Sequence, residues 1–255
     1  MNGFELSPEQ LIQDKEYNFP YHYIPVYSDG KFSQTRYWSW GFRYLGGIKI
    51  VFDQLEEDSF KSLLDVGCGD GRFLKEVSMR YSDIECMGID RSSCAIQLAK
   101  AMNPRVTYKC LDITREKNLK KYDVITAIEV LEHIFPNQLD EFIGGIASVL
   151  NSNGRLILTV PHKNKPIQDK HYQHFSGEDL VKILRPYFKE IELVPFDPIS
   201  KFMLFVKKLI GGSGDRFIIT HSRILSGIYN IYINKYLYAS GEEKCMRICA
   251  VCRKK

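Results

Sequence analysis

The sequence predicts an α/β domain: a mostly parallel sheet with helices on both faces. Two observations predict it. Between residues 61 and 195, short β-branched runs alternate with helical patterns, as in strand–helix–strand units. The first run, within Leu63–Leu74, enters a glycine loop that opens directly into a helix. Composition agrees. The chain has 255 residues, 44% hydrophobic and 26% charged, which suits one folded α/β domain with additions and excludes wholesale disorder.

The elements follow in order. Residues 1–16 form a polar lead-in, with Ser7-Pro8-Glu9-Gln10 as a helix start. Met1–Glu5 lacks the basic start and apolar run of a signal peptide. No stretch approaches the roughly 18 uninterrupted apolar residues of a spanning helix, so no transmembrane segment is expected. Residues 17–44 are loaded with rings and hold 11 of the 32 aromatics. Strands are predicted at 63–66, 84–89, 106–110, 122–128, 155–160 and 190–194, and helices at 71–80, 92–102, 137–150 and 176–188. Asn151-Ser152-Asn153-Gly154 is a turn signal before the fifth strand. Residues 197–243 break the alternation as a largely helical insert jointed at Gly211–Gly214, and 246–252 read as a last strand.

Charge is uneven. The net +4 divides into +8 over residues 199–255, with 11 Lys and Arg against 3 acids, and −4 before them. A basic end on an acidic body suits an anionic partner or a solvated face. The seven cysteines are odd in number and sit in core-like runs, which fits free thiols and a cytoplasmic setting. Cys245-x3-Cys249-x2-Cys252 reads as core cysteines on the last strand, not as iron–sulfur ligands.

The most informative stretch is Asp65-Val66-Gly67-Cys68-Gly69-Asp70-Gly71. Glycine at every second position lets the backbone turn tightly and approach a ligand. The spacing is G-x-G-x-G, and Asp65 precedes it by two residues, where a carboxylate suits a cationic or amine-bearing ligand better than a pyrophosphate. Asp90 ends the second strand, placed to accept two ribose hydroxyls. Asp112 follows the third, placed to meet an adenine amino group.

At these residues the chain resembles the class I S-adenosylmethionine-dependent methyltransferases, over roughly residues 60–195 and the last strand. D-V-G-C-G-D-G is similar to that family's first motif, G-I-D to its second-strand acid and D-I to its adenine contact. The resemblance implies a Rossmann-like, seven-stranded sheet with an antiparallel last strand. It implies one domain over 1–255, divided into an N-terminal aromatic-rich cap (1–60), a cofactor-binding core (61–196), a helical insert (197–243) and the last strand (244–255). It further implies S-adenosylmethionine as cofactor. Asp65, Gly67, Cys68, Gly69, Asp70, Gly71 and Phe73 would surround its methionine part, Asp90 and Arg91 its ribose, Asp112 and Ile113 its adenine, with Glu129 completing the set.

Methyl transfer to a hydroxyl requires alignment and gains from a general base, for which histidine has a suitable pKa. Glu129, Glu132 and His133 share one helical face at i, i+3 and i+4. His162 follows the fifth strand, and His171 and His174 lie in the loop before Ser176, an N-cap with a nearby carboxylate. His174 is the first choice for the base, with His133 and His162 as further catalytic candidates and His171 at the acceptor. Glu129-x-x-Glu132-His133 with a later His is similar to the metal site of small-RNA terminal 2′-O-methyltransferases, and such a set suits a divalent metal. E-V-L-E-H also occurs in metal-free small-molecule methyltransferases, including quinone O-methyltransferases, and the expectation is no metal.

For the acceptor, Tyr21, His22, Tyr37 and Trp40 are the candidates from the ring-rich segment. In the insert, Ile199, Phe202, Met203, Val206, Leu209 and Ile210 fall on one helical face among lysines. Such a helix can pack on its own sheet, lie on an anionic membrane surface or join a homodimer. The whole chain is more loosely similar to small methyltransferases of bacterial cell-surface polysaccharide enzymes. The expected function is methyl transfer to a hydroxyl of a small molecule or glycan, with a phosphorylated or lipid-linked acceptor allowed. The rivals are a metal-dependent RNA 2′-O-methyltransferase and a non-catalytic cofactor-binding subunit.

Overall fold

A computed structural model describes residues 7–15, 25–28, 31–34, 38–116, 118–210 and 221–254. Helix α1 (Pro8–Lys15) and the hairpin β1 (Pro25–Ser28) and β2 (Lys31–Gln34) precede α2 (Trp38–Leu55). Then come β3 (Ser62–Val66), α3 (Arg72–Arg80), β4 (Glu85–Asp90), α4 (Ser93–Met102), β5 (Thr107–Cys110) and β6 (Tyr122–Ile128). They are followed by α5 (Leu139–Ser148), β7 (Leu150–Pro161), α6 (Gly177–Leu184) and β8 (Phe188–Pro198). Helices α7 (Lys201–Ile210) and α8 (Ser222–Ile231) lead to β9 (Cys245–Lys254).

The seven strands after the hairpin form one sheet in the order β5-β4-β3-β6-β7-β9-β8. β5 through β7 are parallel, and β9 is antiparallel to both β7 and β8. Strand order reverses at β3, which opens a crevice beyond the carboxyl ends of β3 and β6.

Alternation along the strands sends side chains to two cores. Leu64, Ile125, Leu156 and Leu158 meet α5 and α6, while Leu63, Val124 and Ile157 meet α2, α3 and α4. Ile50, Val51, Phe52 and Leu55 of α2 are buried there, so this helix belongs to the sheet's covering layer. The start of α6 is a complete capping box, Ser176 with Asp179.

Two local expectations change. Asn151–Gly154 is not a free turn but a bulge within β7. The register passes from Tyr122↔Leu150 to Val124↔Arg155, and Asn151 Nδ2 donates to Asp123 Oδ1 at 2.7 Å. In the insert, Val206 is buried and Phe202 stacks on Tyr236 at 5.3 Å, but Ile199 and Leu209 are exposed. The helix begins only at Lys201, so Ile199 lies before it and is off that face. The joint at Gly211–Gly214 lies outside the described residues. Cys245, Cys249 and Cys252 are buried, unpaired and on β9.

Candidate active site

Gly67, Gly69 and Gly71 have φ of 74°, 54° and 76°, the left-handed region that favours glycine. A Cβ on Gly67 would sit 2.5 Å from Val130 Cγ2. The loop is pinned from below, because Gly67 N and Cys68 N donate to Ile89 O at 2.8 and 3.0 Å. Asp90 fixes its tip: Oδ2 accepts from Gly69 N at 2.9 Å and Oδ1 from Ser92 N at 2.8 Å.

Asp112 is held likewise, its Oδ1 accepting from Thr114 N and Oγ1 and its Oδ2 lying 3.5 Å from Arg91 Nε. Asp65 is buried and accepts from Thr126 Oγ1 at 2.7 Å. Burial pushes its carboxyl up to about 7, against the pull of the Thr126 hydrogen bond.

These groups line one cleft of about 440 Å³, the size of a small-molecule site. Asp65, Gly67, Cys68, Gly69, Asp70, Phe73, Asp90, Arg91, Asp112, Ile113 and Glu129 all border it. Gly71 does not: it packs against Tyr108 and precedes α3. Hydroxyl acceptors at Asp90, an acid at Asp112 and a buried acid at Asp65 fit a cationic adenosine cofactor.

The other half of the cleft starts at Glu129, the first residue beyond β6, whose φ is 54°. Its Oε1 accepts from Arg247 Nε at 3.2 Å, and Arg247 Nη1 donates to Arg43 O. Burial raises the Glu129 carboxyl, but Arg247 and Lys165 outweigh it and hold the group below the usual range. Glu132 is 1% exposed, and neither carboxylate oxygen has a hydrogen-bond partner among the described residues. Burial first, then Glu129, drives its pKa well up.

Two imidazoles, His133 and His171, adjoin it, and a third, His174, stands behind His171. His174 Nδ1 meets Lys165 O at 2.8 Å, and a carbonyl only accepts, so the proton is on Nδ1. His174 Nε2 then accepts from His171 Nδ1 at 2.8 Å, which leaves His171 Nε2 unprotonated. His133 Nδ1 donates to Lys170 O at 2.8 Å, so in the neutral ring the lone pair is on Nε2. Burial, then the His133 and His174 rings, lowers His171 to about 3, so it is neutral at pH 7.

Of the predicted bases, His133 borders the cleft, as does His171, but His174 and His162 do not. His174 is buried with both nitrogens engaged, and its place is behind His171. His162 Nε2 lies 2.9 Å from Glu242 Oε1 and its Nδ1 accepts from Asn164 N, tying the end of β7 to the turn before β9. Tyr21, His22 and Tyr37 lie outside the described residues, as does the side chain of Trp40.

Sequence reasoning missed Arg43, Lys165, Asp197 and Arg247, all of which border the cleft. For Arg247 a signal existed: it is a charge within the otherwise apolar run Met246–Cys252. The helical start at Ser7 also reaches the site, because Tyr172 Oη donates to Glu9 Oε2 at 2.9 Å and Gln10 borders the cleft.

A cofactor cleft at the reversal point of this seven-stranded sheet, with acids at three neighbouring strands, defines a class I S-adenosylmethionine-dependent methyltransferase. A family model described as a methyltransferase domain matches residues 37–193, and the chain belongs to that family. It is 33% identical over 117 residues to the putative methyltransferase 235L of Invertebrate iridescent virus 6, covering 46% of this chain and 43% of that protein. It is 32% identical over 160 residues to the ubiquinone biosynthesis O-methyltransferase of Pelagibacter ubique, covering 58% and 63%. The chain thus spans less than two thirds of these relatives' length. In fold it is similar to the N-methyltransferase NodS of Bradyrhizobium japonicum in complex with S-adenosyl-L-homocysteine, at TM-score 0.54 and 17% identity, covering 84% of this chain and 87% of that one.

Proposed function

We propose that the chain transfers the methyl group of S-adenosylmethionine to a hydroxyl of a small molecule, sugar hydroxyls included. One observation carries this reading: the cleft joins the cofactor half to a half holding Glu132 and the imidazoles of His133 and His171. The two imidazoles are proton-accepting groups next to a cofactor loop. The 32% identity to an O-methyltransferase supports oxygen as the acceptor atom.

The cofactor supplies an electrophilic methyl on a sulfonium. Asp90 receives its ribose hydroxyls, Asp112 and Ile113 hold its adenine, and Asp65 with the glycine loop meets its amino-acid end. His133 and His171 present lone pairs to the acceptor hydroxyl, whose proton leaves as the methyl arrives. His174 is a positioning residue, fixing the His171 tautomer through Lys165 O. The apolar face of α7, with Leu204, Phe205 and Leu209 exposed, supports contact of the insert with a membrane surface or a second copy. No helix among the described residues is long and apolar enough to cross a membrane. The seven free cysteines support a cytoplasmic setting. The ring-rich 17–44 segment supports sugar hydroxyls, such as those of polysaccharide precursors, within the same class.

The test is an acceptor screen over phenols, sugars and amines, scored by S-adenosylhomocysteine release. Turnover confined to hydroxyl compounds is the expected result. Turnover confined to amines, or calorimetry showing no S-adenosylhomocysteine binding at millimolar concentration, defeats the reading.

A further inference from the structure

A carboxylate taken out of water is costly unless it is paired, hydrogen-bonded or bound to a cation. Glu132 is 1% exposed with both oxygens unpartnered among the described residues. One of its oxygens, one ring nitrogen of His133 and one of His171 lie within 4.8 Å of one another. The rings stand perpendicular, with centroids 4.9 Å apart.

The surrounding hydrogen bonds prepare both rings as ligands. Metal-binding histidines characteristically donate their other ring N–H to a carbonyl, carboxylate or water, which fixes tautomer and orientation. His133 does this directly, Nδ1 to Lys170 O. His171 does it through a second imidazole, Nδ1 to His174 Nε2, with His174 Nδ1 held by Lys165 O. With Nδ1 of each ring committed, Nε2 is the ligand atom of each.

We infer that Glu132, His133 and His171 form a divalent-cation site in the acceptor half of the cleft. This departs from the expectation of no metal drawn from the sequence. Two imidazoles and one carboxylate favour a first-row transition cation over Mg²⁺ or Ca²⁺, which prefer all-oxygen sets. Three protein ligands leave positions open, and the site borders the cleft, so an acceptor oxygen can complete it. This last step rests on the hydroxyl-methylation reading. With the cation bound, the Nε2 lone pairs of His133 and His171 hold the metal in place of meeting the hydroxyl. A hydroxyl bound to the cation is more acidic and releases its proton to water, and its oxygen then takes the methyl while the sulfonium becomes a thioether. A hydroxyl with a neighbouring oxygen donor, as in a vicinal diol or catechol, can occupy two open positions and is the preferred acceptor class.

The test uses the whole chain stripped of metal and Mn²⁺ as the probe. Binding is read from loss of the free-Mn²⁺ electron paramagnetic resonance signal, with no acceptor or turnover involved. One Mn²⁺ per chain is expected, with affinity at least tenfold weaker in Glu132→Gln and in His171→Ala. Circular dichroism and S-adenosylhomocysteine binding report whether each variant has folded. His221→Ala, an exposed histidine far from the cluster in sequence, is expected to bind as the parent does. Absence of stoichiometric Mn²⁺ binding by the parent chain overturns the inference. So does unchanged affinity in folded Glu132→Gln and His171→Ala. Mn²⁺ binding without hydroxyl methylation would instead retain the site and remove the functional reading. Chelator-resistant methylation without Mn²⁺ binding would do the reverse.

Discussion

Arg247 Nε donates to Glu129 Oε1 at 3.2 Å, joining the last strand to the first residue beyond β6. The pair locks a residue held at φ 54°, a conformation costly for a side chain other than glycine. Cutting a fully buried ion pair costs about 3–5 kcal/mol. Here a quarter of the Glu129 side chain is exposed, so the loss should be smaller. Arg247→Met is expected to cost about 2 kcal/mol in urea unfolding. It should also weaken S-adenosylhomocysteine binding, because Glu129 borders the cofactor cleft. Unchanged unfolding would show that the pair does not hold Glu129 in place.

The glycine loop makes a sharper prediction. Gly67→Ala is strained at φ 74° and drives a methyl to 2.5 Å from Val130 Cγ2. We expect at least tenfold weaker cofactor binding. Adding Val130→Ala removes the clash but not the backbone strain, so the double variant should recover part of the affinity. Full recovery would assign the whole effect to the clash, and no recovery would assign it to φ.

Asp65 should couple cofactor binding to pH. Its carboxyl titrates near 3.8 in an ordinary setting and near 7 in the fold, chiefly through burial. The folded chain therefore keeps a proton that the unfolded chain loses. Fold stability should decline as pH rises from about 4 to about 7 and then level off. A cationic cofactor favours the ionised acid, so its affinity should increase from pH 6 to pH 8. Asp65→Asn should flatten both trends. Calorimetry in buffers of different ionisation enthalpy counts the released proton, and a parent chain that releases none refutes the linkage.

The parallel strands, the glycine loop and the acids Asp90 and Asp112 were legible because each depends on a short run with its own period or spacing. The acceptor half was not. Arg247 and Glu129 meet across 118 positions, and nothing near either residue marks the other. His171 and His174 share one loop, but His174 is drawn behind His171 by the backbone carbonyl of Lys165, a contact that no hydropathy pattern encodes. Residues 151–154 read as a turn before the fifth strand, but they lie within β7. They became a bulge because Asp123 offers Asn151 a partner across the sheet.

The imidazole chain separates acting from positioning residues. His133 and His171 border the cleft, and if they meet the acceptor as proposed, removing either should lower turnover about 10²–10⁴-fold. S-adenosylhomocysteine affinity should stay near the parent value, since both lie beyond the cofactor half. His174→Ala leaves His171 in the cleft but frees its Nδ1 proton from its acceptor, so the tautomer is no longer fixed. Turnover should fall about tenfold, as is usual for loss of a group supporting a ligand or base. KM for the acceptor should change little, because His174 does not border the cleft. His174→Gln can offer an amide oxygen to His171 Nδ1 and should restore part of kcat. A His174→Ala variant with parental kcat would mean that His171 keeps its orientation unaided, and the relay through Lys165 O would then have no part in turnover.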